Sequence, residues 1–201
     1  MKKRIITISR EYGSGGSVIA QNIGKQLDIP VYDDEINTLI AEESGFKVEF
    51  VREWVEHMKA GQDIKFLDIG AFYPRNLANG DVSVNDEMFY ALNGVINRLA
   101  ENAPCIIVGR CSDYILQDRE DVVNVFIYAD YSFREERAII NYGIDPDHVH
   151  NEIKKQDKFR SRYYGYYCDR PWGEKGNYHA MLDSGKLGIE KTAEVIINAF
   201  L

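Results

Sequence analysis

Apolar residues in this chain follow two patterns: short continuous runs, and longer stretches in which they recur three and four positions apart. The runs predict strands at residues 3–9, 29–32, 105–108, 122–129 and 181–183, the first of them covered on both faces. The helical spacing predicts helices at 14–28, 34–40, 46–58, 84–101, 133–141, 149–164 and 189–200, with a short one around 114–116. Residues 59–80 show no clear period and predict a mobile excursion.

Strands and helices alternate along almost the whole chain. That order predicts an α/β protein with three layers, α/β/α, around a parallel five-stranded sheet. Ligands of such folds bind at the carboxyl ends of the strands. Polar residues follow three of the predicted strands, at Ser9-Arg10, Asp33-Asp34 and Gly109-Arg110. We therefore expect these three strand ends to contribute to one site.

A glycine-rich segment, Gly13-Ser14-Gly15-Gly16, separates the first strand from the first helix. Such a turn collects backbone N–H groups at the positive end of a helix dipole, which suits a phosphate. The phosphate-loop pattern G-x-x-x-x-G-K-[ST] fits only in part, because Gly16 stands at the lysine position and Arg10 at the first glycine. A turn in a protein that binds no nucleotide remains the alternative.

The composition narrows the class of protein. The chain has 201 residues, 45% hydrophobic and 28% charged, which is typical of one globular domain. No apolar run approaches the ~20 residues of a membrane span, and no signal peptide is evident. Three cysteines without CxxC spacing favour a reducing, cytoplasmic location. The net charge of −8 disfavours a general nucleic-acid role, and the four histidines form no helix-spaced metal pair.

Several motifs in a fixed order resemble the cytidylate kinase-like family of nucleoside monophosphate kinases. They are ISREYGSGG at 8–16, VGRCSDYIL at 108–116, VFIYA at 125–129, EIKKQDKFR at 152–160 and GKLGIE at 185–190, with Tyr163-Tyr164, Trp172-Gly173 and Asn177-Tyr178 between the last two. The resemblance implies a P-loop kinase fold within one domain. Its core would comprise about 1–33, 84–145 and 180–201, its helical acceptor lobe about 34–83, and its lid about 146–179.

The resemblance further implies that ATP and Mg²⁺ bind at the loop. The phosphate-binding residues would be Gly13, Ser14, Gly15, Gly16 and Ser17. Ser17 is also the candidate magnesium ligand, or else the N-cap of the helix. The catalytic cations would be Arg10, Arg160 and Arg162, although Arg10 could instead pair with Glu11 or a neighbouring carboxylate.

The acceptor would bind to a second set of residues. Arg110 is the strongest candidate, because a cation directly after a buried strand is costly unless it meets an anion. The other candidates are Asp33, Asp34, Asp113, Arg134 and Arg137. Asp33 and Asp34 could instead cap the following helix, and the arginines could be solvated on helix faces. The aromatic cluster from Tyr163 to Trp172 could stack a base, or form core or a dimer surface.

These observations together predict ATP-dependent phosphoryl transfer to a nucleoside monophosphate, with CMP as the first acceptor to test. Two alternatives remain. One is a P-loop kinase for another small metabolite, and the other is a nucleotide-binding regulatory protein whose catalysis is impaired by the missing lysine. The predicted partners are small molecules, without nucleic acid or membrane. An oligomer is possible.

Overall fold

The computed structural model describes residues 4–60 and 84–201. The expected excursion at 59–80 therefore lies almost entirely outside the described residues, as does half of the expected acceptor lobe. Residues 59 and 60 are the exception, since they end a helix.

Five parallel strands form the central sheet, in the order β2-β3-β1-β4-β5. Their bounds are β1 Ile5–Arg10, β2 Val31–Tyr32, β3 Cys105–Val108, β4 Val122–Tyr128 and β5 Ala180–Asp183. The central strand β1 pairs with β3 through Ile5 and Cys105, and with β4 through Ile5 and Val122. Apolar runs in β1, β3 and β4 are buried because helices cover both faces. The predicted parallel five-stranded sheet is confirmed.

Nine α-helices flank this sheet in the described part of the chain. They are α1 Gly16–Leu27, α2 Ile36–Ser44, α3 Val48–Ala60, α4 Val84–Asn102, α5 Ser112–Ile115, α6 Tyr131–Tyr142, α7 Val149–Cys168, α8 Ser184–Leu187 and α9 Ile189–Phe200. On one face, Ile19 and Ile23 of α1 and Ile196 of α9 form a core with the strands. On the other, α2, α3 and α4 pack through Ile40, Trp54 and Leu92. None of the described helices is long and apolar enough to span a membrane.

The helices differ from the sequence prediction at several boundaries, α2 for example ending at Ser44, and by one additional short helix. Helix α6 begins at Tyr131 because the Asp130 carboxylate caps it by accepting from the Phe133 N–H. Helix α7 continues past Tyr164 to Cys168. The short α8 was not predicted, since four residues carry no periodic pattern; its cap is Asp183, which accepts from two backbone N–H groups.

Candidate functional site

A cleft of about 960 Å³ opens at the carboxyl edge of the sheet. The ends of β1, β2 and β3 form its floor, and α3 and α7 form two of its walls. All three polar strand ends singled out in the sequence reach it, as expected for the edge of a parallel sheet. Its charged lining residues are Arg10, Glu11, Asp33, Asp34, Arg52, Arg110 and Arg160.

The glycine-rich loop lies between the end of β1 and the start of α1. Gly13 and Gly15 both have φ of +82°, in the left-handed region that disfavours side chains. A Cβ at Gly13 would stand 2.6 Å from the Arg134 carbonyl oxygen, and one at Gly15 would overlap Ile189. Gly15 is the N-cap of α1, and no described side chain caps this helix. The first-turn N–H groups of α1 are therefore not used by a side-chain cap, and because Gly15, Gly16 and Ser17 line the cleft, an anion bound there can meet them.

Hydrogen bonds from two serines hold the backbone of the loop in place. The Ser184 hydroxyl, at the start of α8, donates to the Ser14 carbonyl at 2.6 Å and lies 3.1 Å from the Tyr128 carbonyl. The Ser14 hydroxyl and N–H both donate to the Glu11 carbonyl, at 2.8 and 3.3 Å. These bonds fix the loop backbone without using the N–H groups of Gly15 and Gly16.

Ser17 and Arg10 converge on Asp33 at the end of β2. The Ser17 hydroxyl donates to Asp33 Oδ2 at 2.7 Å, and Arg10 Nη2 donates to Asp33 Oδ1 at 3.2 Å. Ser17 is therefore not the helix cap, since Gly15 holds that position. A hydroxyl beside a carboxylate fits Mg²⁺, which commonly takes one or two protein oxygens and completes its shell with water and phosphate. Within the described residues, no group of three or more His, Cys, Asp or Glu could hold a metal ion.

Arg160 of α7 reaches over the start of the loop. Its Nη1 donates to the Arg10 carbonyl at 2.8 Å, and its guanidinium lies 5.7 Å from the Tyr12 ring centre. Burial lowers the pKa of Arg160 to about 9, and the positive charge of Arg10 acts in the same direction. Two cations thus share one end of the cleft. Arg162, by contrast, is exposed and does not line the cleft.

Arg134 lies behind the loop, 7% exposed, and does not line the cleft. It forms ion pairs with Glu11, at 3.2 Å, and with Asp157 of α7, and its Nε donates to the Tyr12 carbonyl at 2.7 Å. Asp157 in turn accepts from the Tyr12 N–H at 2.8 Å. Burial raises the pKa of Glu11, and the charge of Arg134 opposes that rise. Arg134 therefore connects α6, α7 and the loop.

Arg137 lies one helical turn further along α6, against the loop itself. A Cβ on Gly15 would stand 3.4 Å from both Nε and Cζ of Arg137. Its guanidinium is 5.8 Å from the Phe133 ring centre, and its buried Nε has no hydrogen-bond partner among the described residues. Of the two arginines on this helix face, Arg134 is thus paired with Glu11 and Asp157, and Arg137 is the one whose guanidinium lies beside Gly15.

Arg110 follows β3 on a constrained turn. Gly109, Arg110 and Cys111 have successive φ angles of +70°, +60° and +55°. Left-handed backbone at two non-glycine residues costs energy and clusters at functional sites. This turn brings the Arg110 guanidinium to Asn37 of α2, where Nη2 donates to Oδ1 at 2.9 Å.

The remaining wall of the cleft includes residues that sequence reasoning missed. Arg52 and Trp54 of α3 line the cleft together with Phe159 and Tyr163 of α7. The Tyr163 ring packs edge-on against Trp54, with ring centres 6.3 Å apart, and its centre lies 5.9 Å from that of Phe159. Arg52 resembles any arginine on the solvent face of an amphipathic helix. Trp54 has core spacing, so neither carried a recognisable signal.

Asp113 and Asp34 occupy contrasting positions. Asp113 is 4% exposed, and its Oδ2 accepts from the Tyr164 hydroxyl at 2.6 Å. Burial raises the pKa of Asp113, and that hydrogen bond opposes the rise. Because Tyr164 lines the cleft and Asp113 does not, Asp113 can reach a ligand in the cleft only through that tyrosine. Asp34 is exposed at the cleft rim.

Comparison with known proteins agrees with this geometry. A family model described as the cytidylate kinase-like family matches residues 5–186. Among curated proteins, no match was found. An uncharacterized protein from Eubacterium ventriosum is 25% identical, with 98% of each chain covered and a TM-score of 0.72.

Two kinases share the fold at lower identity. A gluconokinase from Sinorhizobium meliloti is 16% identical, with a TM-score of 0.54 over 100% of this chain and 91% of its own. Shikimate kinase from Acinetobacter baumannii, solved with shikimate, is 12% identical, with a TM-score of 0.51 over 98% of this chain and 92% of its own. The fold of the present chain is thus that of the P-loop kinases.

Proposed function

The chain belongs to the cytidylate kinase-like family, and from that premise we propose that it transfers the γ-phosphoryl group of ATP to a nucleoside monophosphate, CMP being the first to test. One observation carries the proposal. The glycine-rich loop, which leads into a helix without a side-chain cap, lines the same cleft as Arg110, which lies on a constrained turn. Donor and acceptor anions can therefore meet there.

ATP is proposed to bind with its phosphates on the loop. The N–H groups of Gly13, Ser14, Gly15 and Gly16 surround the anion, although that of Ser14 already has a partner in Glu11. Arg137 adds a positive charge next to the loop, because its guanidinium lies beside Gly15. Ser17 and Asp33 would hold Mg²⁺, which neutralises phosphate charge when bound.

Phosphoryl transfer asks the protein mainly for positioned positive charge and for the exclusion of water. Arg10 and Arg160 are proposed to supply that charge at the loop, since both line the cleft. Arg162 could join them only if α7 rotated, because its side chain is exposed. Helix α7 with its aromatic face is the proposed lid, and Arg134 holds it to the loop through Asp157.

The acceptor is proposed to bind between α2, α3 and α7. Arg110 and Arg52 offer two guanidiniums to an anionic group, and arginine forks suit phosphate. Phe159 and Tyr163 offer aromatic faces to a flat base, and the buried Trp54 packs edge-on against Tyr163. An acceptor with both an anionic group and a planar ring matches this lining, which favours a nucleotide over a sugar acid. Asp33 and Asp34 follow β2 and line the cleft, where they could contact the acceptor, and Asp113 would act through Tyr164.

The proposal includes a cytoplasmic location and small-molecule partners. Cys105, Cys111 and Cys168 are all buried free thiols, which suits a reducing compartment. The net charge of −8 disfavours nucleic acid as a partner.

The test combines binding with turnover. Thermal shift with a panel of nucleotides and Mg²⁺ identifies ligands, and transfer from γ-labelled ATP is then measured on CMP, other nucleoside monophosphates, gluconate and shikimate. Transfer to CMP or another monophosphate supports the proposal. Transfer only to a non-nucleotide would establish a small-metabolite kinase, and binding without transfer to any acceptor would establish a nucleotide-binding protein.

A further inference from the structure

Two departures from the phosphate-loop pattern, Arg10 and Gly16, are in contact in the folded protein. A Cβ built on Gly16 would stand 2.6 Å from the Arg10 Cβ and 2.9 Å from its Cγ. Real Cβ atoms do not approach other carbon atoms so closely. The stem of Arg10 therefore occupies the space through which a lysine at position 16 would leave the backbone.

The far end of the Arg10 side chain meets a second glycine. A Cβ on Gly109 would overlap Arg10 Nη1. The side chain thus runs from the loop, past Gly16 and Gly109, to the end of β2, where Nη2 contacts Asp33. The stem of Arg10 thus requires glycine at position 16, and Gly109 leaves room for its guanidinium.

We propose that Arg10 is the phosphate-loop cation of this protein, and that its guanidinium holds the phosphoryl group in transit between the loop and Arg110. This inference rests on the proposed function for the identity of the ligand. It deepens that function because it assigns the missing lysine's role to another position. It also places the charge nearer to the proposed acceptor than the loop itself is, since the Arg10 guanidinium lies against Gly109, which immediately precedes Arg110.

The guanidinium has donors to spare for such a ligand. Its Nε is buried without a hydrogen-bond partner among the described residues, and its contact with Asp33, at 3.2 Å, is long for a charge-assisted bond. Arg160 brings a second positive charge, bonded to the Arg10 carbonyl. Two neighbouring guanidiniums favour a further anion, even with the negative charges of Asp33 and Asp157 nearby.

The contrasting interpretation is that Arg10 only holds Asp33 in position. The two interpretations differ in what a phosphate probe reports. If Arg10 only positions Asp33, its loss changes the position of Asp33 and leaves the affinity for an anion at the loop unchanged. Inorganic tripolyphosphate is a suitable probe, since its binding requires neither acceptor nor turnover. It is measured by calorimetry in Mg²⁺-free buffer, so that Asp33 does not contribute through a metal.

Four variants make the test. They are Arg10→Met, Arg10→Lys, Gly16→Lys, and the exchange variant Arg10→Gly/Gly16→Lys, which restores the full G-x-x-x-x-G-K-S pattern. Arg98→Met is the matched control, because Arg98 is an exposed arginine paired with Glu43 outside the cleft.

We expect Arg10→Met to weaken tripolyphosphate binding at least about tenfold. Arg10→Lys should weaken it less, because lysine keeps the positive charge but replaces the planar fork of arginine by a point charge. Gly16→Lys alone should lower the melting temperature without improving binding. The exchange variant should regain both stability and affinity, to within about threefold of wild type. Arg98→Met should match wild type.

Tripolyphosphate affinity unchanged in Arg10→Met, or a Gly16→Lys protein as stable as wild type, would overturn the inference. If Arg10→Met does not fold, failure of the exchange variant to bind better than Gly16→Lys overturns it equally. Failure of the proposed function gives a separate result. In that case the wild type binds tripolyphosphate through Arg10 but transfers phosphate to no nucleoside monophosphate.

Discussion

The Ser17 hydroxyl and the Asp33 carboxylate, 2.7 Å apart, join the first turn of α1 to the end of β2. Sixteen residues separate them in the sequence, and the strand order of the sheet brings them together at the edge of the cleft. Both residues line the cleft in which the nucleotide phosphates are proposed to bind. The pair therefore makes the magnesium proposal testable.

Ser17→Ala is expected to raise the Mg²⁺ concentration for half-maximal phosphoryl transfer by about tenfold, because a metal ligand or its orienting partner is lost. Magnesium titration at saturating ATP measures this. Ser132→Ala is the control, since Ser132 bonds to the cap Asp130 on the exposed start of α6. An unchanged magnesium requirement in Ser17→Ala would place the metal elsewhere.

Gly15→Ala is expected to weaken ATP binding by more than about tenfold, since the added Cβ enters the loop where it contacts Ile189 and Arg137. Gly143→Ala is the matched control: Gly143 has a similar φ of +67°, but a Cβ there meets nothing within 4 Å. Both variants carry the backbone strain, and only the first obstructs the loop. Equal ATP affinities in the two variants, measured by calorimetry, would remove the loop from the nucleotide site.

Arg110→Ala should raise the acceptor KM at least about tenfold, equivalent to about 1.4 kcal/mol, with a smaller effect on the KM for ATP. Arg52→Ala should act in the same direction if both guanidiniums hold the acceptor's anion. Steady-state kinetics with each substrate varied in turn separates the two effects. A variant that loses ATP affinity and keeps its acceptor KM would show that the donor and acceptor pockets are exchanged.

Arg160 and Arg162 form a natural pair of variants on one helix. Arg160→Ala is expected to lower kcat by about 10²–10³, because a preorganised charge at the transferring phosphate is lost. Arg162→Ala should change kcat less than about threefold, because its side chain is exposed outside the cleft. The opposite ranking would mean that α7 rotates before transfer.

Arg134→Ala should destabilise the fold by about 2–4 kcal/mol near pH 7.5, because it leaves Glu11 and Asp157 without their shared cation. Burial already raises the pKa of Glu11, and removal of Arg134 raises it further. A raised carboxyl pKa destabilises the folded state above that pKa, and the penalty disappears once the group is protonated. The deficit should therefore shrink as the pH falls toward about 4.5, which urea denaturation at several pH values measures.

The sequence predicted the sheet well, because β1, β3 and β4 are apolar runs whose burial requires no knowledge of distant partners. It also placed the glycine-rich turn between β1 and α1, because glycine spacing reports backbone geometry directly. It could not separate Arg134 from Arg137. These side chains share a helix face, and only the folded chain shows that Glu11 and Asp157 surround the first while Gly15 lies beside the second.

The acceptor wall was the least predictable part of the site. Arg52 and Trp54 belong to α3, whose pattern is that of any amphipathic helix, and their role depends on α7 lying opposite. Asp113 was expected to contact the acceptor, but the hydrogen bond from Tyr164 separates it from the cleft. Sequence spacing carries no information about such an intervening side chain.

The central position of β1 has a consequence for how the protein is made. Ile5 waits for its first sheet partner, Cys105, which lies a hundred residues further along the chain. At translation rates of about 5–20 residues per second, an apolar strand stays unpaired for about 5–20 s. The phosphate loop cannot close on a nucleotide during that interval, because β1 is not yet held in place. The proposed nucleotide ligand would therefore stabilise the finished protein but not the nascent chain.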